Sequence, residues 1–419
     1  MTLPNRLLTD LTSTELVFTS ADVDALLRAQ GIKAPQRREL TAAALASDEV
    51  IAIGRDDGGA VTYTTREILR LRGRLTELTA ALHGSRDHAP PPAALDKEIR
   101  RLERKARENG RDAADLIGAL NHVGDERGLA IFHGAPGTGK SKVLESVARV
   151  YDNAGSRLVA LAPDRRAAAE MGRDAGVPGR TVAKLLEDLG QGRERLDRDT
   201  VVILDEAGML GLRRMVQLLE HVKDGNAKLI MGGDDRQIPA LEAGDPFAAM
   251  ITQVGGFELT RINRQKDPAD KQATTQVRDG AMREALDNYR RRGRIHFSTD
   301  ADAARLDTAG AYAKWVTAPH NAGKSAAILV ADDAAAGAVN ESVRHMLKAE
   351  GSLHASEEIT LATAQGPRAI AVGETLVFRR DGTLGGGKDG PMDVVTGDRA
   401  RVTELDSRRQ TLTLRMGEQ

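Results

Sequence analysis

The run Gly134, Ala135, Pro136, Gly137, Thr138, Gly139, Lys140, Ser141 constrains this chain more than any other feature, because an apolar segment precedes it and a helical pattern follows. Leu129 to Phe132 read as a buried strand, and Val143, Leu144, Val147 and Val150 recur at helical spacing. In that setting G-x-x-x-x-G-K-[ST] is a phosphate cradle. Its glycines let backbone N–H groups approach a polyphosphate, and the helix N-terminus adds positive potential. The pattern assigns residues Gly134 through Ser141 to a nucleoside triphosphate, Lys140 to its β- and γ-phosphates, and the Ser141 hydroxyl to magnesium.

A cradle alone does not separate kinases, switches and motors, so the acids matter next. Val201 to Leu204 form a second apolar strand that ends on Asp205 and Glu206. Asp205 is placed to hold the magnesium bound by Ser141, and Glu206 to polarise an attacking water. Gln237 follows the apolar run Lys228 to Met231 and is suited to sense a γ-phosphate. Arg264, in Leu259-Thr-Arg-Ile-Asn-Arg-Gln265, would bring a permanent planar charge to the transferring phosphoryl group.

Short apolar runs recur between helical stretches from Leu129 to Arg264, including Leu158 to Leu161. Such alternation predicts an α/β fold with a parallel sheet covered on both faces, ligand sitting at the carboxyl ends of its strands. At 419 residues more than one domain is expected. The boundaries we expect are 1–82, 83–112, 113–290, 291–369 and 370–419. Within 1–82, helices at Phe18 to Leu27 and Gln36 to Ala46 and a hairpin at Val50 to Thr64 suggest a winged-helix-like module. It is either a DNA-contacting wing or a packing module, and Asp56 and Asp57 at the hairpin tip would repel phosphate. The highly charged stretch Asp96 to Glu108 reads as a solvated linker helix. A second α/β segment is expected from Arg294 to Phe297 onward, including Ser325 to Val330. The last 50 or so residues alternate like antiparallel strands, suggesting a small β-barrel insert with Gly385 to Gly387 as a flexible loop.

Composition removes several function classes. Lys plus Arg number 60 and Asp plus Glu 61, so any nucleic-acid track must be local. There are no cysteines, which excludes disulfides, zinc knuckles and thiolate catalysis, and suits the cytoplasm. No apolar run is long enough to insert into a membrane.

Taken together, Gly134 to Ser141, Asp205-Glu-Ala-Gly-Met209, Gly233-Asp-Asp-Arg-Gln237 and Arg264-Gln265 resemble the motifs of superfamily-one helicases of the RecD-like branch. Tyr63 to Glu67, Asp279 to Tyr289, Asn340 to Arg344 and Val395 to Arg399 resemble the helicase part of conjugative relaxases of the TraA type. The resemblance implies a RecA-like P-loop ATPase lobe, an incomplete second RecA-like lobe carrying the barrel-like insert, ATP and Mg2+ as ligands, and movement 5′ to 3′ along single-stranded DNA. It also implies conjugative transfer machinery as a partner, and DNA contacts at Pro163, Asp164, Arg165 and Thr181.

The chain departs from that family in three ways. The glutamine that reads adenine upstream of the cradle has no counterpart between Gln36 and Gln191. The late DNA-coupling stretch and a second phosphate-contacting arginine are missing from the sequence, which implies a truncated motor with weak hydrolysis or one that needs a partner. A nicking domain needs clustered histidines and nucleophilic tyrosines, whereas the nine histidines here are scattered and tyrosines number four. Two other readings remain open at this point: a helicase-like interaction module without motor activity, and a regulatory P-loop ATPase that switches rather than translocates.

Overall fold

The computed structural model describes residues 3–110, 112–237, 244–263, 265, 267–322, 324, 326–353, 358–363, 366–387, 390–394 and 396–416. The chain divides into two units, Met1–Gly280 and Ala281–Gln419.

The first unit opens with α1 (Leu3–Thr14), α2 (Ser20–Ala29) and α3 (Ala34–Leu45), followed by the hairpin β1 (Val50–Arg55) and β2 (Val61–Thr65). Asp22 reaches back to accept the Thr19 N–H at 2.7 Å, fixing the start of α2. Leu7, Leu8, Leu11, Phe18, Val23, Leu27 and Ala44 make a small core of their own. The helix α1 is an element that the sequence reading missed. The next helix, α4 (Arg66–Gly84), carries Ile68, Leu75, Leu78 and Leu82 on one stripe and sends them into the main core rather than the small one.

Two further helices, α5 (Pro92–Glu108) and α6 (Ala114–Val123), lead into the sheet. The mixed charges of α5 suggested a solvated linker, but the helix packs one side against α6 and the helix after the cradle. Leu102 is buried there, and Glu98, 6% exposed, is held by Arg101. Long charged side chains dominate its composition while a single apolar stripe decides where it docks.

The sheet and its crossovers follow as β3 (Leu129–Gly134), α7 (Lys140–Asn153), β4 (Arg157–Ala162), α8 (Arg165–Ala175), β5 (Gly179–Thr181), α9 (Val182–Gly190), β6 (Thr200–Leu204), α10 (Leu212–Asp224), β7 (Lys228–Gly233), α11 (Pro246–Val254), β8 (Phe257–Leu259) and α12 (Pro268–Arg278). Six strands pair in the order β5-β4-β6-β7-β3-β8, every pairing parallel. Side chains alternate between two cores, as a pleat requires. Leu129, Ile131, Val202, Leu204, Leu229 and Met231 face α4, α10 and α11. Ala130, Phe132, Val201, Ile203 and Ile230 face α6 and α7. With both faces covered, all six residues of β3 and of β7 are buried, which explains their unbroken apolar reading. Gly232 sits where an added Cβ would come within 2.5 Å of the Phe132 ring, so the strand beside the cradle must be bare at that point.

The second unit contains α13 (Met282–Arg291), α14 (Ala301–Thr317) and α15 (Asp333–Ala349), then β9 (Glu358–Thr363), β10 (Gly366–Ala371), β11 (Thr375–Val377), β12 (Gly382–Gly387), β13 (Gly390–Val394), β14 (Arg399–Asp406) and β15 (Thr411–Met416). Among the described residues these strands form separate antiparallel sheets: β9 with β10, β11 with β14 and β15, and β12 with β13. Gly385 to Gly387, expected as a loop, belong to β12, since glycine keeps the backbone donor and acceptor that a ladder uses. The segment 294–297 and the apolar run 326–330 form no strand; Phe297 is 83% and Leu329 93% exposed. Among the described residues no helix is long and apolar enough to cross a membrane.

Candidate functional site

The glycine-rich loop joins the C-terminal end of β3 to the N-terminus of α7, as its pattern predicts. Gly137 and Gly139 have φ of 85° and 107°, a region that suits glycine and turns successive N–H groups inward. Gly134 pairs with Leu259 of β8, and an added Cβ there would meet the Leu259 carbonyl at 2.7 Å. Thr138 is buried and donates its hydroxyl to Ala135 O at 2.8 Å, bracing the turn from within. Ala135 is buried, while Pro136 and Ser141 are exposed. Lys140 folds back and donates Nζ to Gly134 O at 2.8 Å. Its ammonium is therefore poised over the cradle, held by a backbone acceptor that an anion would replace.

Asp205 and Glu206 stand at the C-terminal end of β6, two strands from β3 with β7 between them. Burial pushes the Asp205 carboxyl up to about 6, against the lowering effect of the N–H that Glu206 donates to it at 2.8 Å. The Glu206 charge pushes in the same direction as burial, and the Lys140 charge opposes it, so the cradle lysine and the strand-end acid share one electrostatic field. Glu206 itself has φ 50° and ψ 41°, a left-handed conformation that costs a non-glycine residue about 1 kcal/mol or more. Such strain concentrates where a side chain must be aimed.

The loop after β7 completes this edge. Gly208 and Gly233 pack so closely that a Cβ on Gly208 would meet Asp234 O at 2.9 Å, which brings the loops after β6 and β7 into contact. Asp235 Oδ1 accepts a 2.8 Å hydrogen bond from Nδ1 of His133, the residue just before Gly134. Burial is the largest single influence on Asp235 and opposes its ionisation, yet the hydrogen bond and charge of His133, a backbone N–H and the Arg236 charge together hold the carboxyl below the ordinary range. Gln237, on this loop, is exposed. Arg264 lies outside the described residues.

The cradle, Asp205, Glu206 and Gln237 thus all arise from the carboxyl edge of one parallel sheet. The segments expected at DNA lie on the same sheet but use their polar atoms locally. Asp164, after Pro163 and beside Arg165, caps α8 by accepting Ala167 N–H at 2.8 Å, and Thr181 caps α9 by accepting Lys184 N–H at 3.2 Å. Arg180 is tied to Asp188 and to Glu194.

Sequence reasoning missed the His133 and Asp235 pair, and also Asp115, which accepts the N–H groups of Thr260 and Arg261, and Asn263, which donates to the carbonyls of Gly137 and Thr138. Histidine immediately before the first cradle glycine was a signal for the first. Nothing local marked the others, because their partners are distant in sequence.

The Ser141 hydroxyl and the Asp205 carboxylate are hard oxygen ligands of the kind magnesium takes together with phosphate. The chain is similar to several known proteins. Residues 117–300 match the family model described as an AAA domain. A probable conjugal transfer protein TraA from Sinorhizobium fredii is 28% identical over 356 residues, which is 84% of this chain and 31% of that protein. An ATP-dependent RecD2 DNA helicase from Deinococcus radiodurans is 29% identical over 202 residues, covering 47% of this chain and 27% of that one. A crystal structure of Pif1 helicase from Candida albicans aligns with TM-score 0.37 and 16% identity over 67% of each chain. The chain spans about a third of the length of the TraA relatives it matches. Residues 117–300 are thus similar to AAA domains, and most of the chain is similar to part of the TraA conjugal transfer proteins.

Proposed function

We propose that the first unit binds ATP with Mg2+ at Gly134 to Ser141 and hydrolyses it to drive 5′ to 3′ movement along single-stranded DNA during conjugative transfer. The observation that carries this reading is the convergence of the cradle, the acids Asp205 and the strained Glu206, and the loop of Gln237 on one edge of a parallel sheet. Lys140, released from Gly134 O, would neutralise the phosphates, and Ser141 and Asp205 would hold the magnesium. Magnesium, when bound, supplies a positive centre that orients the phosphates and offsets charge on them. Glu206 would take a proton from the attacking water, and Gln237 and Arg264 would sense and stabilise the γ-phosphoryl group. The relatives' names, an ATP-dependent DNA helicase and a conjugal transfer protein, support the same assignment. Pro163, Asp164, Arg165 and Thr181 stand as the DNA-facing positions of this proposal. It also keeps the division into 1–82, 83–112, 113–290, 291–369 and 370–419, with a winged-helix-like first part and a barrel-like last part.

A second reading, an interaction module for the transfer machinery without motor activity, is favoured by one observation: the helix caps at Asp164 and Thr181 and the ion pairs of Arg180 occupy groups that a DNA track would use. ATP turnover with and without single-stranded DNA separates the two. Stimulation by DNA that is abolished in Lys140→Ala supports the motor. Nucleotide binding without turnover supports the module.

A further inference from the structure

The cradle grips phosphate, the part that all nucleoside triphosphates share, so any choice among them is made beside it. A cavity of about 220 Å³ adjoins the cradle, lined by Thr138 and Gly139 and by residues of α5, α6 and α7. Cavities of roughly 150 Å³ in protein interiors admit a benzene ring, so this one has room for a heterocyclic base. Its apolar wall comes from Leu102 and Ala106 of α5 and Leu116 of α6. Charged residues around it are engaged with one another: Arg101 with Glu98 at 2.6 Å, Arg261 with Asp112 at 2.5 Å, and Glu145 with Arg149. Ser146, on α7, is different. It lines the cavity, is 2% exposed, and its hydroxyl makes no hydrogen bond among the described residues. Thr12, Thr317 and Ser342, also within helices, each donate to the carbonyl four residues back at 2.7, 2.9 and 3.0 Å. A buried hydroxyl left without a partner forfeits a bond that water would give it, and favours a ligand that restores one.

We propose that this cavity seats the base of the bound nucleoside triphosphate, that α5 forms one wall of it, and that Ser146 hydrogen-bonds the base and makes the site accept adenine and guanine alike. The inference rests on the reading of Gly134 to Ser141 as a phosphate cradle, and adds the substrate class of that site. Leucine and alanine side chains press on a ring but read no pattern of donors and acceptors. A serine hydroxyl both donates and accepts, so it serves the amino group of one purine or the carbonyl of the other. Strong rejection of one base needs a fixed polar group that the wrong base leaves unpaired. The two lining amides, Asn109 and Asn263, already donate to the carbonyls of Lys105 and Thr138 at 2.7 and 3.0 Å. The docking that buries Leu102 thus makes the charged helix α5 part of the nucleotide site.

The test is equilibrium binding to the full chain with Mg2+, read by titration calorimetry. The probes are the non-hydrolysable imido analogues of ATP and GTP, and inorganic tripolyphosphate. In the parent, both analogues should bind about tenfold or more tighter than tripolyphosphate, and within about fivefold of each other. Ser146→Ala should weaken both analogues by about five- to tenfold and leave tripolyphosphate unchanged. Ala106→Trp, which fills the cavity from α5, should bring both analogues to the affinity of tripolyphosphate. If that variant loses tripolyphosphate too, its fold is disturbed and Ser146→Ala decides. Three results overturn the proposal: analogues that bind the parent no tighter than tripolyphosphate, analogue affinities that ignore Ser146→Ala, or a preference for one purine of about tenfold or more. A parent that binds none of the three probes contradicts the cradle reading itself, and the base site falls with it.

Discussion

The two units spend their apolar residues differently. In the first, runs such as Leu129 to Phe132 and Val201 to Leu204 enter a six-stranded parallel sheet and vanish from solvent on both faces. In the second, a run of similar composition at 326–330 stays outside any strand, with Leu329 exposed. Composition is thus not what makes a strand here; a hydrogen-bonded neighbour is. The sheet that finds its neighbours is also the one that holds the candidate site, because only a covered parallel sheet aligns several loop-bearing strand ends on one edge.

Core truncation gives the largest contrast in stability. Phe132→Ala removes a ring that is 0% exposed and packs against Gly232, and should cost about 3–5 kcal/mol in chemical unfolding of the first unit. Leu329→Ala, at a side chain 93% exposed, should change stability by no more than about 0.5 kcal/mol. A comparable loss from both would erase the distinction between the units.

A smaller effect follows from a buried charge at the opposite edge of the sheet. Lys228, 1% exposed at the start of β7, donates to the carbonyls of Asp125 and Arg127 at 2.7 and 2.8 Å. Burial pushes its ammonium down from 10.5 to about 8. Between those values the unfolded chain still holds a proton that the folded chain has released, so stability rises with pH across that window, by at most about 3 kcal/mol. Urea melts of the parent between pH 7.5 and 10.5 should show that rise, and Lys228→Met should flatten it. A parent without the rise would mean that the lysine keeps its proton in the fold.

How much of this was legible in the sequence depended on whether the signal was local. The cradle, the acids of β6 and the strands β3, β4, β6 and β7 each carry their own pattern within about ten residues, and all appear where the pattern placed them. The edge strands β5 and β8 are only three residues each, Gly179–Thr181 and Phe257–Leu259, too short for periodicity to register. The docking of α5 was hidden behind its charges. Asp115 and Asn263 were invisible for a different reason: Asp115 has its partners 145 and 146 residues away, and nothing short of the fold brings them together. The strain at Glu206 likewise belongs to the backbone, not to the residue name.

The central claim is that the acid pair at the end of β6 faces the cradle as a hydrolytic centre. The most direct measurement is nucleotide affinity set beside single-turnover ATP hydrolysis for Glu206→Gln, with single-stranded DNA and Mg2+ present. The account predicts ATP binding close to the parent's and hydrolysis slowed by about a hundredfold or more, since the glutamine keeps the shape and loses the proton acceptor. Hydrolysis as fast as the parent's would contradict it.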